Sequence, residues 1–295
     1  MLTRRAFATH LTASAFAGLS LAACGANAAR HFAGYGRLLP DPKGLLDLPE
    51  GFSYRILSAF GDPMSDGFTV PRRADGMDCF ALGGGRLALV RNHELSPGSV
   101  EDYSRPLAGR TVARAETLRG YDRTVDGELL PGGTTTLILD QRSGKVESQF
   151  WSLRGTIRNC AGGRTPWGSW LSCEEDETSA GEGVALDHGW VFEVPAGAQA
   201  PVDAVPLKGL GRFNHEAAVV DPRTGIVYLT EDREDGLFYR LLPETKGRLR
   251  DGGRLQALGL RTGASGGDTR NWDSVGIDHG ASESVRWIDL ECFFY

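Results

Sequence analysis

Several features that are common in other protein classes are missing from this sequence. None of its five cysteines forms a Cys-x-x-Cys pair, which excludes a zinc knuckle and a thioredoxin-like redox motif. Lysine is scarce, and 38 acidic residues outnumber 32 basic ones, so the composition argues against a nucleic acid as the partner. Helical periodicity is hard to find beyond residue 28, and no stretch resembles a linker. We therefore expect one large β-rich domain over residues 29–295.

The N-terminus carries the features of an export signal. Paired arginines and a phenylalanine within residues 3–7 precede a mildly apolar run, residues 11–23, which has no acidic residue. This combination is typical of the twin-arginine route, so residues 1–28 are predicted to be a signal peptide and the mature protein to be periplasmic or secreted. Two processing routes stay open, cleavage before Ala29 or a lipobox-like sequence that would place a lipid on Cys24. That lipid would be the sole membrane contact.

The mature chain keeps a negative charge and four cysteines besides Cys24. Without residues 1–28, 30 basic residues face 38 acidic residues, a net charge of −8. In an oxidising compartment the four cysteines, Cys79, Cys160, Cys173 and Cys292, could form two disulfides. For Cys173, core packing or a disulfide with Cys79 is favoured.

Short runs of β-branched and aromatic residues recur along the chain, each bounded by Gly, Pro, Asp or Asn. Forty glycines supply the tight turns that such a fold needs. The predicted strands are residues 53–57, 87–91, 134–140, 146–153, 190–194, 217–221, 226–230, 237–242 and 285–290. The expected fold class is all-β.

Two hairpins in the sequence resemble each other. In residues 136–146 and again in residues 217–227, an apolar strand runs into Asp-x-Arg-Ser/Thr-Gly and then into a second strand. The two aspartates, Asp140 and Asp221, are 81 residues apart, close to two propeller blades of roughly 40 residues each. A β-propeller is therefore the first choice, and a β-sandwich or jelly roll is the second.

Carboxylates and a thiol cluster in three segments of the chain. The tripeptide Asn-His-Glu occurs at residues 92–94 and 214–216, and residues 159–175 between them contain two cysteines and end in Glu-Glu. Carboxylate oxygens are the ligands of hard cations, and a cysteine among them suits a transition metal such as iron. These segments predict a metal-dependent hydrolase.

With these segments identified, the chain resembles the PhoX-type secreted alkaline phosphatase family. Its most unusual element is Cys-Ala-Gly-Gly-Arg-Thr-Pro-Trp-Gly at residues 160–168, and the resemblance spans most of the mature chain. The matching segments are residues 75–77, 89–94, 159–168, 173–175, 211–216 and 228–232.

The resemblance implies a propeller of five or six blades with its active site at the mouth of a central channel. It also implies an iron–calcium cluster, with a bridging thiolate that matches Cys160, and a small-molecule phosphate ester as substrate. We expect the protein to be a monomer. The best-placed acidic ligands are Glu174, Glu175 and Glu216, followed by Glu94 and Glu231, with Asn159 as a further candidate. Glu174 and Glu175 would point to opposite faces of a strand, and Glu174 is favoured by a small margin. Cys160 is expected to stay out of any disulfide.

Arginine is the natural bidentate partner of phosphate. Arg164 is the first candidate because it shares a turn with Cys160, and Arg91 is the second. His215 could ligate a metal, orient a carboxylate or donate to phosphate. A structural hydrogen bond is an equally good expectation for His215, and pairing with surface acids is the ordinary role of an arginine.

The family normally continues beyond a strand such as residues 287–290 with a further metal-ligand segment. Here only five residues follow, so we expect an incomplete last blade and weakened activity. Two other functions stay open. One is a noncatalytic propeller that binds calcium or another ligand, and the other is a calcium-dependent lactonase.

Overall fold

The computed structural model describes residues 34–108, 119–261, 268–270, 272 and 276–290. The chain divides into two units, Met1–Ile56 and Leu57–Tyr295. In the first unit, β1 (Leu38–Leu39) pairs antiparallel with β2 (Leu48–Pro49). The predicted signal peptide, with Cys24, and the fourth cysteine, Cys292, lie outside the described residues.

The second unit is built from three antiparallel sheets in which consecutive strands are neighbours. The first sheet contains β3 (Ala74–Gly83), β4 (Arg86–His93), β5 (Gly132–Asp140) and β6 (Val146–Thr156). The second contains β7 (Asn159–Arg164), β8 (Ser169–Glu174) and β9 (Val191–Pro195). The third contains β10 (His215–Val220), β11 (Val227–Glu231), β12 (Phe238–Pro243), β13 (Gly253–Leu260) and β14 (Val285–Asp289).

The predicted fold class is confirmed. The described residues contain no α-helix and only three short 3-10 turns, at Val100–Asp102, Lys208–Leu210 and Leu249–Asp251. Over the same residues the sheets do not define a closed barrel or propeller, so the propeller stays a prediction. The strand predicted at residues 53–57 is wrong, because these residues pair with no strand and Ile56 is exposed.

The two similar hairpins of the sequence fold in the same way. In the first, Asp140 N–H donates to the carbonyl of Lys145 and Gly144 N–H to that of Asp140. Asp221, Gly225 and Ile226 repeat these bonds in the second hairpin. Gly144 and Gly225 take φ values of 62° and 79°, a left-handed conformation that glycine adopts without steric cost.

The core is formed between successive sheets. One set of buried side chains lies between the first and second sheets, Val90, Leu153, Trp170 and Phe192 among them. Another lies between the second and third sheets and includes Leu171, Val191, Leu229 and Leu241. Burial of apolar surface on both sides therefore fixes the middle sheet between its neighbours.

The first strands of the three sheets approach each other closely at glycines. A Cβ on Gly76 of β3 would lie 2.8 Å from the Cα of Ala161, and one on Gly163 of β7 would lie 1.7 Å from the carbonyl oxygen of Ala218 in β10. Glycine is required at both positions because no side-chain atom fits there. Gly163 of the unusual sequence element thus has a structural role, since its lack of a side chain lets β7, which carries Cys160, pack against β10.

Replacing Gly163 by alanine should destabilise the protein by about 3 kcal/mol, because a methyl group would collide with the backbone of β10. Denaturant unfolding measures this loss. Gly197→Ala is the matched control, since nothing lies within 4 Å of its Cβ position. Equal stabilities of the two variants would contradict the close approach of β7 and β10.

Candidate metal centre

Cys160 lies at the point where the second and third sheets meet. Its thiol is buried and donates to the carbonyl of His215 at 3.2 Å. Its sulfur and carboxylate oxygens of Glu175 and Glu216 all lie within 4.8 Å of one another. Cys160 comes from β7, Glu175 directly follows β8, and Glu216 belongs to β10. Three segments that are distant in sequence therefore present three ligand atoms to one small volume.

The cysteines of this region are not cross-linked. Cys79, Cys160 and Cys173 are free thiols, the first exposed and the other two buried. The expectation that Cys160 would stay out of a disulfide with Cys79 or Cys173 is met, and Cys173 belongs to the core between the second and third sheets.

Further carboxylates surround the three ligand atoms. Burial, hydrogen bonding with Asp232 and the charge of Glu94 raise the pKa of Glu175 to about 7, against the opposing effect of Arg158. Burial raises the pKa of Glu216, and the charges of Asp232 and Asp75 add to this. Partial burial and Glu94 also raise the pKa of Asp75, which lies at the exposed edge. These acids repel one another, and the arrangement favours a cation among them. We call Cys160 with these five carboxylates the acidic cluster: Asp75, Glu94, Glu175, Glu216 and Asp232.

Arg158, like Asp75 and Asp232, belongs to this site but was not among the candidate residues predicted from the sequence. Its guanidinium donates to Glu94 Oε1 at 2.9 and 3.2 Å and to Glu175 Oε2 at 2.7 Å. Its backbone has a φ of 45°, an uncommon conformation for a residue with a side chain. Burial works against its charge, but attraction to Glu175 and Glu94 outweighs burial and raises its pKa. Arg158 directly precedes the Asn159-Cys160 element, and it belongs to no sequence motif of its own.

Asn92 fixes the backbone on which Cys160 sits. Its side-chain amide donates to the carbonyls of Cys160 and Ala161 at 3.1 and 2.7 Å. Its side-chain oxygen accepts hydrogen bonds from Trp170 and Ser172, both at 2.9 Å. The asparagine of the first Asn-His-Glu tripeptide is thus a buried clamp between β4 and the second sheet.

The structure brings Glu175, and not Glu174, to Cys160. Glu174 is fully buried on the other side of β8, so the two neighbours point in opposite directions as expected. The carboxylate of Glu174 accepts four hydrogen bonds, at 2.7–3.1 Å, from Ile157 N–H, His188 Nδ1, Gly189 N–H and Trp190 N–H. Both oxygens of Glu174 are therefore occupied by hydrogen bonds within the core. The ligand atom that lies near Cys160 comes from Glu175, which corrects the preference for Glu174.

At the end of β11, too, the residue next to the predicted one lies in the acidic cluster. Glu231 turns toward its own sheet, where its carboxylate accepts from Leu237 N–H at 2.9 Å and Tyr239 Oη at 2.8 Å. Asp232 instead joins the acidic cluster, and its backbone N–H donates to the carbonyl of Asn214 at 3.0 Å. The predicted ligand Glu231 is thus engaged within its own sheet, and its neighbour Asp232 lies in the acidic cluster.

Neither arginine proposed for phosphate binding belongs to the acidic cluster. Arg164 is at the far end of β7, exposed, and pairs with Asp78 at 3.6 Å. Arg91 is buried on the face of β4 opposite Asn92, where it donates to Ser58 and Thr135 at 3.2 Å. The length of β7 separates Arg164 from Cys160, and the alternation of side chains along β4 turns Arg91 away from it.

The polar candidates His215 and Asn159 are engaged in the core. His215 is fully buried, its Nε2–H donates to the carbonyl of Gly211 at 3.0 Å, and burial lowers its pKa to about 4. Asn159 accepts from Thr156 at 2.6 Å and donates to Ser172 at 2.9 Å. In both Asn-His-Glu tripeptides the histidine therefore lies in the interior, and the glutamate reaches the acidic cluster.

The chemistry of the donor set fits a metal centre. Burial raises the pKa of the Cys160 thiol far above its usual range, so without a cation the group is a neutral thiol. A bound cation would stabilise the thiolate and the neighbouring carboxylates together. Thiolate with carboxylates is a mixed soft and hard set that suits iron, and the outer carboxylates suit calcium.

The family assignment follows from the whole chain. A protein-family model described as Alkaline phosphatase PhoX matches residues 33–293 of 295. The chain belongs to the PhoX alkaline phosphatase family. No curated protein and no solved structure gives a significant match. The PhoX match covers every residue of the acidic cluster, and it supports a phosphatase with a small-molecule phosphate ester as substrate.

In the part of the chain that the structure describes, no helix is long and apolar enough to cross a membrane.

Proposed function

We propose that this PhoX family member is an exported phosphatase that hydrolyses phosphate esters with an iron–calcium centre held by the acidic cluster. The observation that carries the proposal is the convergence of Cys160, Glu175 and Glu216 within 4.8 Å. Family membership supplies the reaction class, and the donor set supports the kind of metal.

Cys160, Glu175 and Glu216 would hold the iron, and Glu94, Asp75 and Asp232 would contribute to calcium sites around it. When bound, the metals supply the positive charge that phosphoryl oxygens require and lower the pKa of a water nucleophile. The chain itself orients these ligands. Asn92 holds the backbone of Cys160, the buried Glu174 holds the end of β8, and Arg158 holds the carboxylates of Glu94 and Glu175.

We also propose that the three sheets are successive blades of a propeller. Each sheet is a meander of neighbouring strands, and the first strand of each packs against the first strand of the next at Gly76 and Gly163. Inner strands that converge in this way would place Cys160 near the axis, where propellers bind their ligands. Export through the twin-arginine route, with cleavage or lipidation after residues 1–28, completes the proposal.

Purified protein supplied with calcium and iron should hydrolyse a chromogenic phosphate monoester, and a chelator should abolish the activity. Phosphate diesters and lactones assayed in parallel would define the ester class. Folded protein with both metals bound and no turnover of any phosphate ester would reject the proposal. Retention of calcium without iron would favour the noncatalytic propeller, and lactone hydrolysis alone would favour the lactonase.

A further inference from the structure

Among the described residues, Arg158 is the cation in direct contact with the acidic cluster. Its guanidinium bridges two carboxylates of different segments, Glu94 after β4 and Glu175 after β8. Glu175 is at the same time one of the three groups whose ligand atoms converge with Cys160. The arginine therefore holds a carboxylate that the proposed metal would also use.

The charges explain why a cation is needed at this place. Five carboxylates and a thiol are gathered here, and burial together with their mutual repulsion raises the pKa values of Asp75, Glu175 and Glu216. Arg158 is about one-third exposed and Glu175 about one-seventh, so water screens their interaction only in part. An arginine suits the position, because its planar fork can serve two carboxylates at once.

The backbone of Arg158 supports a dedicated role for the side chain. A φ of 45° carries a conformational cost for any residue with a Cβ. Two backbone hydrogen bonds hold the residue there, from Arg158 N–H to the carbonyl of Leu95 and from Glu175 N–H to the carbonyl of Arg158, both at 2.9 Å. These bonds tie the segments that carry Glu94 and Glu175 to the residue that bridges their side chains.

We infer that Arg158 is a built-in counter-cation, which neutralises Glu94 and Glu175 while the centre is empty and becomes dispensable for stability once metal ions are bound. This inference rests on the proposed metal centre. Arg158 would keep the acidic cluster folded before metal loading, and it would compete with the incoming cations for Glu175. It acts through the carboxylates and is a positioning residue.

The test compares thermal unfolding of the wild type and Arg158→Gln, first in a chelator and then with calcium chloride and ferric citrate. In the chelator, Arg158→Gln should lower the Tm by about 3–6 °C, as expected for a chain of this size. With metals the difference should shrink to less than half, so that metal ions raise the Tm of the variant more than that of the wild type.

Two matched variants complete the design. Arg158→Lys keeps the charge and the backbone cost, and it should recover at least half of the lost Tm in the chelator. Arg164→Gln removes an arginine from the exposed end of β7. It should change the Tm by no more than about 1 °C, both in the chelator and with metals.

The outcomes separate the inference from the proposed function. An equal loss of Tm with and without metals would overturn the counter-cation role, as would a smaller metal-induced rise in Arg158→Gln than in the wild type. If metals raise the Tm of neither protein and elemental analysis finds none bound, the proposed metal centre itself is wrong.

Discussion

Cys160→Ser should purify as a folded protein that contains almost no iron and has lost phosphatase activity by more than about 100-fold. Mutation of a residue that only hydrogen-bonds to a metal ligand typically costs about 10–100-fold in metal affinity or activity, so loss of a ligand itself should cost more. The thiolate is the soft ligand of the acidic cluster, and a serine hydroxyl cannot replace its charge. Because Cys160 is buried against backbone carbonyls, serine can keep the hydrogen bond to His215. Iron per protein, measured by elemental analysis, checks the prediction.

Cys173→Ala is the control for this experiment. Cys173 is buried like Cys160 and lies on the neighbouring strand β8, in the core between the second and third sheets. Its sulfur is outside the group of three converging ligand atoms. The control should keep its iron and lose only a little stability. Normal iron content in Cys160→Ser would contradict the role of Cys160.

The adjacent residues Glu174 and Glu175 should give opposite results when each is changed to glutamine. Glu174→Gln should destabilise the fold by about 3 kcal/mol or more, because all four partners of this buried carboxylate are N–H donors and an amide nitrogen would face at least one of them. Glu175→Gln should change the stability of the metal-free fold little, because the loss of the ion pair with Arg158 is offset by relief of the repulsion from Asp232 and Glu94. It should lose the metal.

Urea unfolding in a chelator, together with elemental analysis, measures both effects on the same two variants. Each variant is the control for the other, because the substitution and the position along the chain are nearly identical. Metal loss in Glu174→Gln without destabilisation, or a large destabilisation in metal-free Glu175→Gln, would reverse the assignment of the two carboxylates.

The sequence predicts the strands whose residues are apolar and β-branched, and it misses others for a physical reason. The strands β7 and β8 carry Asn-Cys-Ala-Gly-Gly-Arg and Ser-Trp-Leu-Ser-Cys-Glu, in which glycines and small polar residues hide the alternation. Gly163 of β7 serves close packing between sheets, which a local pattern cannot show. Conversely, residues 53–57 have the pattern of a strand and lack a partner.

The same distinction holds for the acidic cluster. Sequence motifs located the segments that supply Cys160, Glu94 and Glu216, because these residues stand inside unusual elements. They could not decide between Glu174 and Glu175, since a strand presents alternate side chains to opposite faces and its register is set by pairing with other strands. Arg158 escaped notice because its role depends on two carboxylates that are distant in sequence.

X-ray absorption at the iron edge tests the central claim most directly. In wild-type protein loaded with iron and calcium, we predict a sulfur neighbour of the iron that is absent from the spectrum of Cys160→Ser and retained in Cys173→Ala. Iron that is bound stoichiometrically with oxygen and nitrogen neighbours alone would contradict the account.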